Sequence, residues 1–223
     1  ICNQKGGVGK TTTAINLAAA LAGAGKKILI IDLDPQGNAS TGLGIDYANR
    51  DKSIYEVLAS SIAFDESVSK TNLENLFIIP SNVELSGIEP ELANESDKAF
   101  VLKSLINNSN SIKTFDYIFI DCPPALSLLT VMAMTSANSV LVPLQCEFFA
   151  LEGLSQLIKT VDRVKKNLNP FLSIDGIILT MFDKRNKLST QVAMDVKKHL
   201  QEKVFETMIP VSYTHLRAHE TES

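Results

Sequence analysis

The 223-residue sequence contains no tryptophan, only three cysteines, and no apolar run near the roughly 18 residues that a membrane-spanning helix needs. Cys2, Cys122 and Cys146 are odd in number, far apart and set in apolar stretches. This pattern favours reduced, packed thiols over a disulfide framework or a metal site. The first residues also lack the charged and apolar parts of a secretory leader. We therefore expect a cytoplasmic chain with no membrane partner.

The sequence also lacks a net positive charge, since its formal charge is −4. A uniformly basic nucleic-acid binder is therefore excluded, but the charge is unevenly distributed. Residues 28–121 hold 6 basic and 15 acidic side chains, whereas residues 159–203 hold 10 basic and 5 acidic ones. Any DNA contact is expected in the later segment, although the same lysines could simply solvate helix surfaces.

Short apolar runs rich in β-branched residues alternate with longer helical patterns. The predicted strands are residues 27–33, 76–79, 117–120, 139–144, 174–181 and 204–209. The predicted helices are residues 10–24, 97–107, 126–137, 150–168 and 189–203. Strands that alternate with helices predict an α/β fold with a doubly wound, mainly parallel sheet.

Residues 1–210 are predicted to form one domain, within which residues 37–53 are polar enough for a mobile loop. Both ends look unusual. Ile1 and Cys2 are too few for a strand leading into the segment that follows, so we expect the chain to begin inside its first strand. Residues 211–223 lose the apolar periodicity and are predicted to be a non-native or disordered tail.

A glycine-rich segment, NQKGGVGKTTT at residues 3–13, stands between an apolar start and an Ala/Leu-rich helix. This is the strand–loop–helix context of a phosphate-binding loop, in which glycines admit an anion and helix N–H groups converge on it. Lys10 is expected to reach the terminal phosphates of ATP, and the Thr11 hydroxyl is expected to bind Mg²⁺. The predicted ATP-binding residues are Lys5, Gly6, Gly7, Val8, Gly9, Lys10, Thr11 and Thr12.

Two apolar runs end in carboxylates, at Asp32 and Asp34 (DLDPQGN) and at Asp121 (YIFIDCPP). Ligands of open α/β sheets collect at the carboxyl ends of the strands. Asp121 matches the acid of a Walker B strand and is expected to hold Mg²⁺ through water. For Asp32, bracing of the loop and a part in the site's chemistry are equally compatible with the sequence.

The phosphate loop departs from the strict pattern GxxxxGK[ST], because Gln4 stands at the first glycine position and Lys5 follows it. KGGVGKTT resembles the deviant Walker A loop of the ParA/MinD ATPases, which have a P-loop fold of the SIMIBI type. The resemblance implies that Lys5 reaches across a homodimer to the nucleotide of the partner subunit. It also implies that Asp34 orients the attacking water, so the expected catalytic residues are Lys5, Lys10, Asp34 and Asp121.

The resemblance extends from residue 1 to about residue 210 and is strongest to the ParA/Soj branch. The segments IIPSNVELSGIEPEL, YIFIDCPPALSLLT, VPLQCEFFALEGLSQL and GIILTMFDKRNKLS all resemble that branch. Membership implies an ATPase for chromosome or plasmid partition that dimerises on ATP, binds nonspecific DNA on the nucleoid and is stimulated by a ParB-type partner. FDKRNK falls where that branch carries a DNA-binding arginine, so the resemblance implies DNA contact by Arg185, with Lys184 and Lys187 beside it; an ordinary basic loop is the alternative.

Other functions fit parts of the same sequence. A MinD-like regulator of the division site shares the phosphate loop but carries a membrane-binding amphipathic helix, which residues 211–223 do not resemble. An inactive fragment that binds nucleotide without turnover is also compatible with the two unusual ends. An iron protein of the nitrogenase type is disfavoured, because Cys122 adjoins the expected magnesium ligand rather than a cluster site.

Overall fold

The computed structural model describes residues 1–211, which form an α/β fold. Apart from Val211, the predicted tail at residues 211–223 lies outside the described residues. The strands are β1 (Ile28–Asp32), β2 (Ser69–Lys70), β3 (Leu76–Ile79), β4 (Tyr117–Asp121), β5 (Ser139–Gln145), β6 (Ser173–Phe182) and β7 (Val204–Pro210). The α-helices are α1 (Lys10–Gly23), α2 (Asn38–Gly42), α3 (Ile54–Leu58), α4 (Ile88–Glu91), α5 (Val101–Asn108), α6 (Leu128–Ser136), α7 (Ala150–Asn167) and α8 (Lys187–Leu200).

The strands pair in two groups, with the orders β2-β3-β1-β4 and β5-β6-β7. All pairs are parallel except that of β2, a two-residue strand that runs antiparallel to β3 at the edge. In the first group β1 is central and aligns Asp32 with Asp121 of β4. The prediction of a mainly parallel sheet is therefore confirmed, and it brings two acidic strand ends together.

The first residues of the chain join the two groups of strands. The Ile1 nitrogen donates to the Ile120 carbonyl (2.6 Å), and the Cys122 nitrogen donates to the Ile1 carbonyl (3.3 Å). On the other side, the Cys2 nitrogen donates to the Leu141 carbonyl of β5 (3.1 Å). Residues 1 and 2 thus lie as a strand segment between β4 and β5, and the phosphate loop leaves from the middle of a continuous sheet.

The alternation of side chains along β1 explains why helices cover both faces. All five of its residues are buried; Ile28 and Ile30 pack in an apolar cluster with Ala18 of α1, whereas Leu29 and Ile31 join the larger cluster on the opposite face. Successive strand residues point to opposite faces, so an apolar run without alternation indicates a strand buried on both sides. The small side chains of α1 allow that helix to pack closely on the sheet.

The predicted strands and long helices are all present, with ends that differ by a few residues. The sequence analysis missed β2 and the short helices α2, α3 and α4. Helix α3 had a readable signal, since Ser53 and Glu56 form a capping box in which Glu56 accepts from the Ser53 nitrogen (2.8 Å). Within residues 1–211, no helix has both the length and the apolar character that crossing a membrane would require.

A buried asparagine ties helix α6 to the turn that follows α7. The Asn169 amide donates to the carbonyls of Met134 (3.0 Å) and Ala137 (2.7 Å) at the end of α6. Replacement by leucine leaves both acceptors without this donor, so Asn169→Leu is expected to lower the free energy of unfolding by about 1–3 kcal/mol. Urea denaturation of both chains measures this difference in the free energy of unfolding. Exposed Asn167→Leu is the control and should change stability by about 0.5 kcal/mol or less; equal effects of the two changes would contradict the prediction.

Candidate functional site

The phosphate loop is fixed at its start by a buried asparagine. The Asn3 amide nitrogen donates to the Pro143 carbonyl of β5 (2.6 Å), and its amide oxygen accepts from the Lys5 nitrogen (3.1 Å). A single side chain therefore anchors the loop to the sheet and sets the direction in which the chain leaves it. The sequence analysis did not assign a role to Asn3.

Two glycines let the loop turn back onto the helix. Gly7 and Gly9 have φ values of 74° and 85°, in the left-handed region that favours glycine. The Thr180 hydroxyl of β6 donates to the Val8 carbonyl between them (2.8 Å), which holds the loop from the second group of strands. No side chain caps α1, so the N–H groups of its first turn remain available to an anion.

Lys10 is buried at the first position of α1, with 7% of its surface exposed. Its ammonium donates to the Lys5 carbonyl (3.0 Å) and forms no ion pair within residues 1–211. Burial lowers its pKa, and the charge of Asp121 is the largest influence in the opposite direction. A desolvated cation at an uncapped helix start is a strong site for an anion.

Asp121, at the end of β4, differs from the other acidic residues of the site because its carboxylate is buried without hydrogen bonds within residues 1–211. It is fully buried, and neither carboxylate oxygen has a hydrogen-bond partner among the described residues. Burial raises the pKa of Asp121. The nearby Thr11 hydroxyl is the largest influence in the opposite direction, although neither Asp121 oxygen accepts a hydrogen bond from it. An unpaired buried carboxylate beside a hydroxyl fits a hard divalent cation that takes its other ligands from phosphate and water. Thr12, the last predicted ATP-binding residue, is exposed one position further along α1.

Asp32 braces the loop that follows β1. It accepts hydrogen bonds from the Ser40 nitrogen (2.8 Å), the Ser40 hydroxyl (2.7 Å) and the Asp34 nitrogen (3.3 Å). Even so, burial raises the pKa of Asp32 to about 7. Of the two alternatives that the sequence left open, the geometry favours bracing, because all three hydrogen bonds of this carboxylate come from Asp34 and Ser40 in the segment after β1.

Asp34 lies in the turn directly after β1. Its carboxylate accepts from the Gln36 nitrogen (3.0 Å), and its carbonyl accepts from the Gly37 nitrogen (2.9 Å). Its charge partly opposes the lowering of the Lys10 pKa by burial, and it adds to the raising of the Asp121 pKa by burial. The structure thus brings the three predicted residues Lys10, Asp34 and Asp121 together at one edge of the sheet.

A buried arginine that the sequence analysis missed holds the segment after Asp34. Arg50 donates to the carbonyls of Gly37 (3.3 Å), Ser81 (3.2 Å) and Ile45 (2.8 Å) and to the Thr41 hydroxyl (2.8 Å). Residues 37–53 therefore form a braced segment with helix α2 in it, rather than the loop that was expected. Its partners are mostly backbone carbonyls, so no residue pattern in the sequence indicated this role.

The Lys5 ammonium forms an ion pair with Glu147, which precedes α7. The two side chains are about half and one-third exposed. An exposed pair of this kind contributes little to stability, typically about 0–1 kcal/mol, and can exchange for a stronger anion. Glu147, like Asn3 and Arg50, is a residue that the sequence analysis did not single out.

The predicted DNA-binding residues Lys184, Arg185 and Lys187 lie between β6 and the start of α8. The Arg185 side chain is 82% exposed and makes two hydrogen bonds to Asp183, each 3.0 Å long. β6 also supplies Thr180, which contacts the phosphate loop. The basic loop and the phosphate loop are therefore at the same edge of the sheet.

The shifted pKa of Asp32 predicts a pH-dependent stability. The folded chain keeps this proton up to about pH 7, whereas an unfolded aspartate releases it near pH 4, so between these values the folded state binds more protons. The free energy of unfolding should therefore fall as the pH rises from about 4 to about 7. Asp32→Asn should remove up to about 4 kcal/mol of this change in urea titrations across that range. Exposed Asp46→Asn is the control, and parallel pH profiles of wild type and Asp32→Asn would refute the prediction.

Comparisons with known proteins identify relatives of this chain. A family model described as an AAA domain matches residues 1–174. The chromosome partitioning protein ParA of Caulobacter vibrioides is 51% identical over 210 residues, which cover 94% of this chain and 79% of that protein. The sporulation initiation inhibitor protein Soj of Bacillus subtilis is 48% identical over 210 residues, covering 94% and 82% respectively.

Among solved structures, a cobyrinic acid a,c-diamide synthase from Mycobacterium smegmatis with a bound ATP analogue and magnesium is similar in fold. The TM-score is 0.87 at 36% identity, with 95% of this chain and 85% of that chain covered. The fold of that structure is thus shared over nearly the whole described chain, while the more similar sequences are partition proteins. The chain belongs to the ParA/Soj family of partition ATPases.

Proposed function

We propose that this chain binds ATP with Mg²⁺ at the phosphate loop and hydrolyses it, as a ParA-type ATPase for chromosome or plasmid partition. One observation carries the proposal: the buried Lys10 ammonium and the unpaired Asp121 carboxylate stand together at an uncapped helix start. Triphosphate supplies the anion that Lys10 lacks, and a divalent cation supplies the partner that Asp121 lacks. The magnesium-bound ATP analogue in the similar mycobacterial structure supports this assignment.

The residues of the loop take distinct parts in binding. The N–H groups of residues 6–12 surround the phosphates, and the Lys10 ammonium sits between the terminal two. Thr11 would hold Mg²⁺ directly and Asp121 through water. The metal neutralises charge on the phosphates when bound; the chain's own contribution is to hold these groups in a dry, preorganised cradle.

Asp34 orients the water that attacks the terminal phosphate. Phosphoryl transfer depends on positioning and charge more than on a strong base, so a carboxylate fixed by a turn suffices. The Gln36 nitrogen fixes one Asp34 oxygen, and Arg50 fixes the turn behind it through the Gly37 carbonyl. Movement of residues 37–53 would therefore alter hydrolysis without touching the phosphate loop.

Lys5 acts on the nucleotide of a second copy of this chain. In the single chain its ammonium is on the surface and paired with Glu147, so it is free to exchange that carboxylate for a more strongly charged phosphate. A homodimer formed on ATP would complete both sites. This arrangement makes hydrolysis depend on association of two copies.

The dimer binds nonspecific DNA on the nucleoid through Lys184, Arg185 and Lys187, and a ParB-type partner stimulates hydrolysis and release. The excess of basic residues at 159–203 supports the DNA contact, as does the exposure of Arg185. Binding of this kind rests on phosphates and carries no base sequence preference. A MinD-like regulator would instead bind anionic lipid vesicles in the presence of ATP.

Removal of the Lys10 ammonium tests the phosphate site. Lys10→Ala is expected to reduce the affinity for MgATP at least a hundredfold and to abolish turnover, because a charge-assisted contact to phosphate is lost in a buried position. Titration calorimetry and phosphate release measure the two effects. Lys26→Ala, at an exposed lysine beyond α1, is the matched control. Hydrolysis at the wild-type rate by the Lys10 variant would refute the mechanism.

Removal of the Arg185 guanidinium tests the DNA contact. Arg185→Ala is expected to weaken ATP-dependent DNA binding severalfold at low salt and to reduce the slope of log affinity against log salt concentration by about 1. ATP affinity should not change. Lys70→Ala, on the edge strand β2, is the control for loss of one positive charge. A DNA affinity and salt slope equal to those of wild type would exclude Arg185 from the contact.

A further inference from the structure

Two cysteines lie side by side where the phosphate loop meets strand β4. The Ile1 nitrogen donates to the Ile120 carbonyl, and the Ile1 carbonyl accepts from the Cys122 nitrogen. In a parallel ladder this pattern places Ile1 opposite Asp121, so Cys2 is the neighbour of Cys122 on the adjoining strand segment. Paired residues of neighbouring strands point to the same face of a sheet.

The two thiols belong to the same apolar cluster. Cys2 and Cys122 are only 2% and 3% exposed. Neighbouring strands are about 4.8 Å apart, which falls within the Cα separations of about 4.4–6.8 Å that a disulfide can bridge. The backbone spacing therefore already permits a disulfide between these two residues.

We propose that Cys2 and Cys122 form an oxidation site, a dithiol that closes to an intramolecular disulfide by exchange with a small-molecule disulfide. One protein thiol attacks the oxidant, forms a mixed disulfide and releases one small thiol. The second protein thiol attacks the mixed disulfide, forms the Cys2–Cys122 bond and releases the other small thiol. The oxidant gains two electrons and the two protons that the protein thiols lose.

Access to the pair is controlled by the phosphate loop. The segment after Cys122 packs under that loop, since a Cβ on Gly6 would lie 3.9 Å from the Pro124 Cβ. Exchange therefore requires a local opening at the base of the loop. This step rests on the proposed function: bound MgATP holds the loop closed and slows oxidation.

The disulfide would in turn act on nucleotide binding. Cys2 directly precedes Asn3, which anchors the phosphate loop, and Cys122 directly follows Asp121. Drawing the two sulfur atoms into a bond displaces both neighbours. The oxidised chain is therefore expected to bind MgATP at least tenfold more weakly than the reduced chain, and a thiol reductant should restore the affinity.

The test exposes the full reduced chain to oxidised glutathione, alkylates the remaining thiols and maps the peptides without reduction. The expected product links the Cys2 peptide to the Cys122 peptide and is lighter by two hydrogen atoms than the two reduced peptides together. Saturating MgATP should slow its formation severalfold. Cys146 is buried without a neighbouring thiol, and burial raises its pKa to about 11. Cys146→Ala is therefore the matched control and should form the link normally, whereas Cys2→Ala should not.

The same experiment is repeated in urea below the unfolding transition, where local opening is more frequent. Absence of the Cys2–Cys122 link under both conditions, or glutathione adducts alone, would overturn the proposal. A failure of the proposed function would appear separately, as a reduced chain that forms the link but has no affinity for MgATP.

Discussion

The structure depends on two opposite charges that are buried at one edge of the sheet without an adequate partner. Lys10 forms no ion pair among the described residues, and both oxygens of Asp121 lack hydrogen bonds there. Burial of an uncompensated charge costs several kcal/mol. Under the proposed function, a triphosphate with its metal ion would supply both missing partners, so that part of this cost would be recovered when the ligand binds.

The remaining parts of the site keep those two groups in place. Asn3 and Thr180 tie the phosphate loop to β5 and β6, and Arg50 ties the turn after Asp34 to the end of β3. The contact of Lys5 differs from these buried contacts, because its ion pair with Glu147 is exposed and weak. The buried contacts therefore hold the phosphate loop in place, whereas the exposed pair leaves Lys5 available for the role in a homodimer that is proposed above.

The sequence was sufficient to predict those features that residues close together in the chain determine. The runs ILIID and YIFID predicted two strands with acidic ends, and the glycines with Lys10 predicted the loop. The predicted burial is right throughout β1 but holds only for the last two residues of β4. The bracing contacts were not predictable, because they join residues that only the topology brings together: Thr180 contacts Val8 across 172 positions. The role of Arg50 could not be predicted for another reason. Its hydrogen-bond acceptors are mainly backbone carbonyls, which every residue carries.

Under the proposed function, the Asp121 carboxylate binds a metal ion that arrives with the nucleotide. This metal binding is tested most directly by calorimetric titration of ATP into the wild-type chain and the Asp121→Asn variant, each with and without magnesium. We predict that magnesium strengthens binding at least tenfold in the wild type and that this gain is largely lost in the variant. An equal magnesium effect on both chains, or no ATP affinity in either, would contradict the account.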